Sequence, residues 1–299
     1  MSTTTWTSSE RRLTWLGRAA DYAELAKLRI GVMVLGTVAA AAFVGSWGQP
    51  EPVALLAALL GTALVASSAS AANQWLEWHV DAHMPRTCDR PLPAGRLSSQ
   101  EVIAFTALTL FLGFGVLAIG AGWRSLFFAA ATWFMYVAVY TPLKRHTAWN
   151  TVVGAIAGAM PVAIGWVAVG GTLDVRVMTI FMLLFLWQFP HFMAIAWIYR
   201  EHYRLGGLRM ASVVDPSGHR CGVQAVLGAM ALLPVGLIPA LGTASSGYAL
   251  CACGLTTGQL ACAVLFCMRR TDREARRLLA ASLIYLPAML LLLAWLPWA

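Results

Sequence analysis

Asn73, Glu77 and Asp81 follow one another at intervals of four in the stretch NQWLEWHVDAHMPRTCDRPLPAGR, residues 73–96. Residues at i, i+4 and i+8 share one face of a helix, so an amide and two carboxylates form a single polar stripe. Arg86, Arg90 and Arg96 come directly after it. Oxygen donors of this kind suit Mg2+, which is usually held by one or two carboxylates together with substrate phosphates. Guanidinium groups grip phosphate oxygens bidentately. The spacing therefore predicts a metal-bridged phosphate site, with Asn73, Glu77 and Asp81 toward the metal and Arg86 and Arg90 toward the anion. Asn73 and Asp81 are about 12 Å apart along a helix axis, which implies two ions or a water-mediated shell. Pro85, Pro91, Pro93 and Gly95 turn the arginine-bearing segment into a shaped loop instead of a continuing helix.

Two later stretches carry further candidates. In YTPLKRHTAWN (140–150), Lys144 and Arg145 are both potential phosphate ligands and ordinary membrane-orienting charges. In WQFPHFMAIAWIYREHYRLGGLRM (187–210), Gln188, His191, Ile195, Tyr199 and His202 fall on one helical face, and Pro190 can kink it. His191 is either a hydrogen-bonded structural histidine or part of a cavity lined with Glu201, Tyr203 and Arg204. Lys27 and Arg29 read as snorkelling anchors of a membrane helix.

The elements that must position these groups are membrane helices. Of 299 residues, 59% are hydrophobic and 11% charged, and the mean hydropathy is +0.69, outside the range of soluble domains. A bilayer-crossing helix needs about 20 apolar residues. Such runs occur at 26–47, 53–78, 99–121, 125–142, 150–170, 176–199, 220–242, 247–268 and 276–297. The fold class expected is therefore all-α, a polytopic bundle of nine spans. Of the 21 Lys and Arg, all but Arg124 and Arg176 lie on one side of that alternation, from Arg11 and Arg12 to Arg276 and Arg277. The positive-inside rule makes that side cytoplasmic, with the N-terminus inside and the C-terminus outside. The net charge of +8 is then explained by topology, and nucleic-acid binding need not be invoked. The six cysteines show neither metal nor disulfide spacing. Residues 1–25 read as a cytoplasmic segment without a cleavable signal, and 26–299 as one transmembrane domain. Glycines 154, 158 and 165 give the fifth span a small-residue face. The last three spans read as scaffold and apolar walls.

The stretch 73–96, with YTPLKR and GAIAGAMPVAIGW later, and WQFPHFMAIAWIYRE followed by YRLGGLRM, resembles the UbiA-type intramembrane prenyltransferases. The run MPRTCDRPLPAGRLS is similar to the family within them that farnesylates protohaem IX. The likeness covers about residues 21–220. It implies nine helices around a cavity open to the cytoplasm, in a bacterial cytoplasmic (inner) membrane. It also implies transfer of the farnesyl group of farnesyl diphosphate to a vinyl group of haem b, with water addition, to give haem O and diphosphate. Mg2+ would be the cofactor, held by Asn73, Glu77 and Asp81 with Glu201. Arg86, Arg90, Lys144 and Arg145 would hold diphosphate beside Tyr140, with Glu201 and Tyr203 assisting. His191 would contact haem or handle a proton. Haem A synthase or cytochrome oxidase assembly factors would receive the product. Prenylation of a quinone precursor or chlorophyllide, or transport of an anionic amphiphile, are the other readings.

The sequence departs from that family pattern in places. Glu77 stands where it usually has aspartate and His79 where it has an acidic residue, Glu201-His202-Tyr203 replaces acidic-Asp-Tyr, and the entry Ala26-Lys27-Leu28-Arg29 lacks the proline common there. The first motif is thus expected to carry more of the metal binding than the second.

Overall fold

The second, third and sixth spans begin where the sequence supplies a cap. Glu51 accepts from the amides of Val53 and Ala54 at 3.0 and 2.6 Å, with Pro52 at the first helical position. Ser98 and Glu101 form a reciprocal capping box, and Asp174 accepts from the amides of Arg176 and Val177. The structure, a computed structural model, describes residues 15–243 and 246–295. Arg11 and Arg12, part of the charge asymmetry, lie outside the described residues. Among those described, nine helices are long and apolar enough to cross a membrane: Leu28–Gly45, Pro52–Asp81, Ser99–Gly120, Trp123–His146, Asn150–Ala168, Val175–Ile198, His219–Leu241, Ser246–Arg269 and Asp272–Trp295. They coincide one for one with the nine apolar runs. The second span is longer than expected, because it carries the polar stripe to its last residue.

Small residues set the packing. A Cβ added to Gly113 would sit 2.9 Å from the Gly61 carbonyl oxygen, so the second and third spans approach backbone to backbone. Gly165 does the same for the fifth span, whose backbone lies against the carbonyl of Val38 in the first. The fifth span is the most enclosed of the nine. The ninth packs on the sixth, the eighth and the first, which closes the bundle.

A short helix, Trp15–Ala26, precedes the first span and is separated from it by Lys27, which adopts a left-handed conformation (φ 51°, ψ 53°). At the same end, residues 82–97 form a cap loop. Met84 of that loop packs with Tyr203, Leu208 and Met210 from the segment after the sixth span. The chemistry-bearing stretches therefore meet at one end of the bundle.

Candidate active site

Asn73, Glu77 and Asp81 are all buried at that end, as a single face of the second span requires. The fourth span reaches them through a π-helical stretch, Met135–Tyr140, just ahead of Pro142. Such wide turns often mark functional sites. The widened turn lets the Thr141 hydroxyl donate to the Tyr136 carbonyl at 2.9 Å and accept from Asn73 Nδ2 at 3.1 Å. One turn on, Lys144 Nζ donates to Glu77 Oε2 at 2.9 Å, and it lies 4.7 Å from the Tyr140 ring centroid. Asn73 Nδ2 also donates to Glu77 Oε2, at 2.8 Å. Arg90, from the cap loop, donates to Asp81 Oδ2 at 2.6 Å.

A further cation joins the cluster that sequence spacing read as an anchor. The left-handed turn at Lys27 points its amine inward, where Nζ donates to Asn73 Oδ1 at 3.4 Å. Gln74 fixes that turn by donating to the Leu25 carbonyl at 2.9 Å. Burial, and then the positive charges of Arg90 and Lys144, pull the Lys27 ammonium down to about 7. Lys27, Arg90 and Lys144 converge on a stripe with two carboxylates, Glu77 and Asp81, so basic groups outnumber acidic ones in the cluster. Glu77 Oε1, meanwhile, is buried with no hydrogen-bond partner among the described residues. An orphaned carboxylate oxygen is costly unless something else occupies it. No local signal in the sequence marks Lys27 or Thr141, because their roles arise only through contacts across the bundle.

Other expected residues are placed differently. Arg86 lies over the Tyr199 ring at 4.4 Å and the Tyr203 ring at 5.5 Å, a cation–π latch between the cap loop and the segment after the sixth span. Tyr203 is buried in the cap core, and Tyr140 is half-buried beside Lys144. Arg145 is exposed. Glu201 is not brought to the cluster. Its carboxylate accepts from Arg204 at 2.9 Å, and both side chains are 65% exposed. The reason is that the sixth span stops at Ile198 and Tyr199 leaves helical geometry (φ −104°, ψ 21°), so the helical face does not run on past that residue. His202 Nδ1 is buried without a hydrogen-bond partner among the described residues. Arg96 is fully engaged elsewhere, with the helix Trp15–Ala26.

His191 is held apart from the carboxylates. Its ring stacks on Trp187 with centroids 4.7 Å apart, and Nδ1 is 2.9 Å from Ser282 Oγ. Ser282 spends its one proton on the Leu279 carbonyl at 2.7 Å. With the Ser282 proton so placed, Nδ1 is the donor of that pair and Nε2 keeps its lone pair; with the proton turned to Nδ1, the tautomer reverses.

No group of three His, Cys, Asp or Glu side chains among the described residues could cage a metal unaided. The available donors are the Glu77 and Asp81 carboxylates, one with an orphaned oxygen, and the Asn73 amide. That set fits Mg2+, which completes its octahedron with waters and substrate phosphates. Surplus cations beside the carboxylates fit the phosphates.

Comparison with known proteins identifies the family of the chain. Residues 34–298 match the UbiA prenyltransferase family. A protein of Rhodopirellula baltica named protoheme IX farnesyltransferase is 41% identical over 279 residues, covering 90% of this chain and 97% of that one. Among solved structures, a digeranylgeranylglyceryl phosphate synthase superposes with a TM-score of 0.74 at 14% identity, over 92% of this chain and 97% of that one. A UbiA homolog from Archaeoglobus fulgidus bound to GPP and Mg2+ superposes at 0.64 and 14% identity, over 91% and 99%.

Proposed function

The chain belongs to the UbiA prenyltransferase family, and we propose that it is an integral membrane enzyme transferring the farnesyl group of farnesyl diphosphate to a vinyl group of haem b. The observation that carries the site assignment is the cation-rich cluster with the orphaned Glu77 oxygen. The name of the Rhodopirellula relative supports the acceptor.

In this reading Glu77, Asp81 and Asn73 would hold Mg2+, whose chemistry there would be neutralisation of diphosphate charge. Lys27, Arg90 and Lys144 bind the diphosphate oxygens, with Arg145 and Arg86 at the rim. Their fixed positive charge stabilises the leaving group as the allylic C–O bond breaks and its electron pair goes to oxygen. The farnesyl C1 then bonds to the terminal vinyl carbon of haem. Water adds at the neighbouring carbon and loses a proton, giving the hydroxyethylfarnesyl group of haem O. Tyr140 flanks Lys144, and Tyr203 supports the cap. The Nε2 lone pair of His191 can accept a proton or contact haem, which as a substrate needs no axial ligand. Glu201 could serve only as a peripheral group from its exposed position. The cluster end faces the cytoplasm of a bacterial inner membrane, because the flanking Lys and Arg gather there, so soluble diphosphate leaves on that side. Haem A synthase or an oxidase assembly factor takes the product.

The test is mass analysis of haem b after incubation with the purified protein, farnesyl diphosphate and Mg2+. The expected product is heavier by the farnesyl group plus a hydroxyl, with diphosphate released. Unaltered haem, under conditions where a known haem farnesyltransferase turns over, removes the assignment.

A further inference from the structure

Arg96 resembles Arg86 and Arg90 in the sequence, yet its guanidinium is spent on the protein. Nε donates to Asp21 Oδ1 at 2.7 Å, Nη2 to Glu24 Oε2 at 2.8 Å, and Nη1 to the Asp89 carbonyl at 2.6 Å. Two of these acceptors lie on the helix Trp15–Ala26, and the third lies in the cap loop that carries Arg90. Asp21 is buried, so this is a partly desolvated pair of the kind whose breakage leaves an uncompensated charge. Below it, Leu25 of the helix is fully buried with Leu92 and Leu97 of the loop and Ala71 of the second span. The loop backbone closes around the same point: Arg96 N donates to the Pro91 carbonyl at 2.7 Å, and Ala94 N to the Arg90 carbonyl at 3.0 Å.

Each end of this assembly delivers a cation to the carboxylate stripe. The helix ends in Lys27, which reaches Asn73. The loop contains Arg90, which reaches Asp81. We propose that Arg96 is a positioning residue for diphosphate binding, clamping the helix Trp15–Ala26 to the cap loop so that Lys27 and Arg90 are held at the two ends of the stripe. This rests on reading the cluster as a diphosphate site. Arg96 acts through the helix and the loop, because Nε, Nη1 and Nη2 each donate to one or the other and none donates to the carboxylate stripe.

The molecule contains its own control. The same helix has a second anchor, the Arg18–Glu101 ion pair, which ties it to the start of the third span and not to the cap loop. It also contains a reporter: Cys88 is half-buried within the cap loop, while the other five cysteines lie in membrane spans. A charged maleimide that does not enter the bilayer, applied to the full-length protein in nanodiscs and read as the mass-tagged peptide containing Cys88, measures how firmly the loop is held. In the wild type, farnesyl diphosphate with Mg2+ slows this labelling. Arg96→Gln accelerates it and raises KM for farnesyl diphosphate by about tenfold, with kcat changed much less, as expected for lost pre-organisation of binding groups. Glu24→Gln, which removes one contact of the three, gives a smaller change in the same direction. Arg96→Lys recovers only part of the loss, because an ammonium cannot reproduce the three-way fork. Arg18→Gln leaves Cys88 labelling and KM at wild-type values. Wild-type labelling in Arg96→Gln overturns the clamp, and an equal effect from Arg18→Gln overturns it too, since mere docking of the helix would then suffice. Faster labelling in Arg96→Gln with no protection by farnesyl diphosphate in the wild type overturns instead the diphosphate reading on which the proposal rests.

Discussion

Two clusters of charge sit at opposite ends of the bundle, and they differ in whether their basic and acidic groups balance. At the far end, Asp174 accepts from Arg176 Nε at 2.9 Å, from Nη2 at 2.8 Å and from two backbone amides. The Arg176 guanidinium lies 4.0 Å from the Trp47 ring centroid and 5.1 Å from that of Trp166. Burial opposes ionisation of Asp174, but the Arg176 side chain and the two N–H groups outweigh it and lower its pKa. The two charges there close on each other as a one-to-one pair, with Arg176 Nη1 buried and without a hydrogen-bond partner among the described residues. At the site end, Lys27, Arg90 and Lys144 crowd two carboxylates, and Glu77 keeps a buried oxygen without a partner among the described residues. A closed cluster welds loops together; an open one, with surplus positive charge, is built around something that brings oxygen and negative charge with it.

That contrast is broken or sharpened by mutation. Asp81→Asn should lower turnover by about a thousandfold, the scale of losing a group that stabilises developing charge, while the protein still runs as a folded species in size-exclusion chromatography. A variant with wild-type turnover would take Asp81 out of the site. Glu77→Gln should cost about a hundredfold in kcat, because it removes the orphaned anionic oxygen and leaves Lys144 unpaired. Steady-state kinetics with farnesyl diphosphate measure both. Lys27→Met should raise KM for farnesyl diphosphate about tenfold, the worth of one charge-assisted contact; an unchanged KM would return Lys27 to the role of a membrane anchor. Asp174→Asn, at the closed cluster, should destabilise the fold by about 1–2 kcal/mol. It should lower the melting temperature in detergent and leave KM alone, and a shifted KM would erase the distinction between the two ends.

How much of this could be read beforehand depended on how local each signal was. The nine spans were legible because a bilayer demands long apolar runs, and their order followed. The stripe Asn73, Glu77, Asp81 was legible because helical spacing alone puts it on one buried face. Lys144 was visible as a charge at a helix end, although its bond to Glu77 depends on the π-helical turn before it. Lys27 was hidden, since its amine turns inward only through a left-handed backbone that Gln74 holds from another helix. Arg96 looked like its neighbours, and only the helix Trp15–Ala26 tells it apart. Glu201 shows the reverse: the family resemblance put it at the metal, but the sixth span ends at Ile198 and the carboxylate turns out to Arg204.

The claim at the centre of this account is that the open cluster binds diphosphate through a metal. Titration of farnesyl diphosphate into the wild-type protein, with Mg2+ and then after EDTA, tests it most directly. Affinity should fall at least about tenfold when the metal is removed and return when Mg2+ is restored. Equal affinity with and without the metal would contradict the assignment of Glu77 and Asp81 as its ligands.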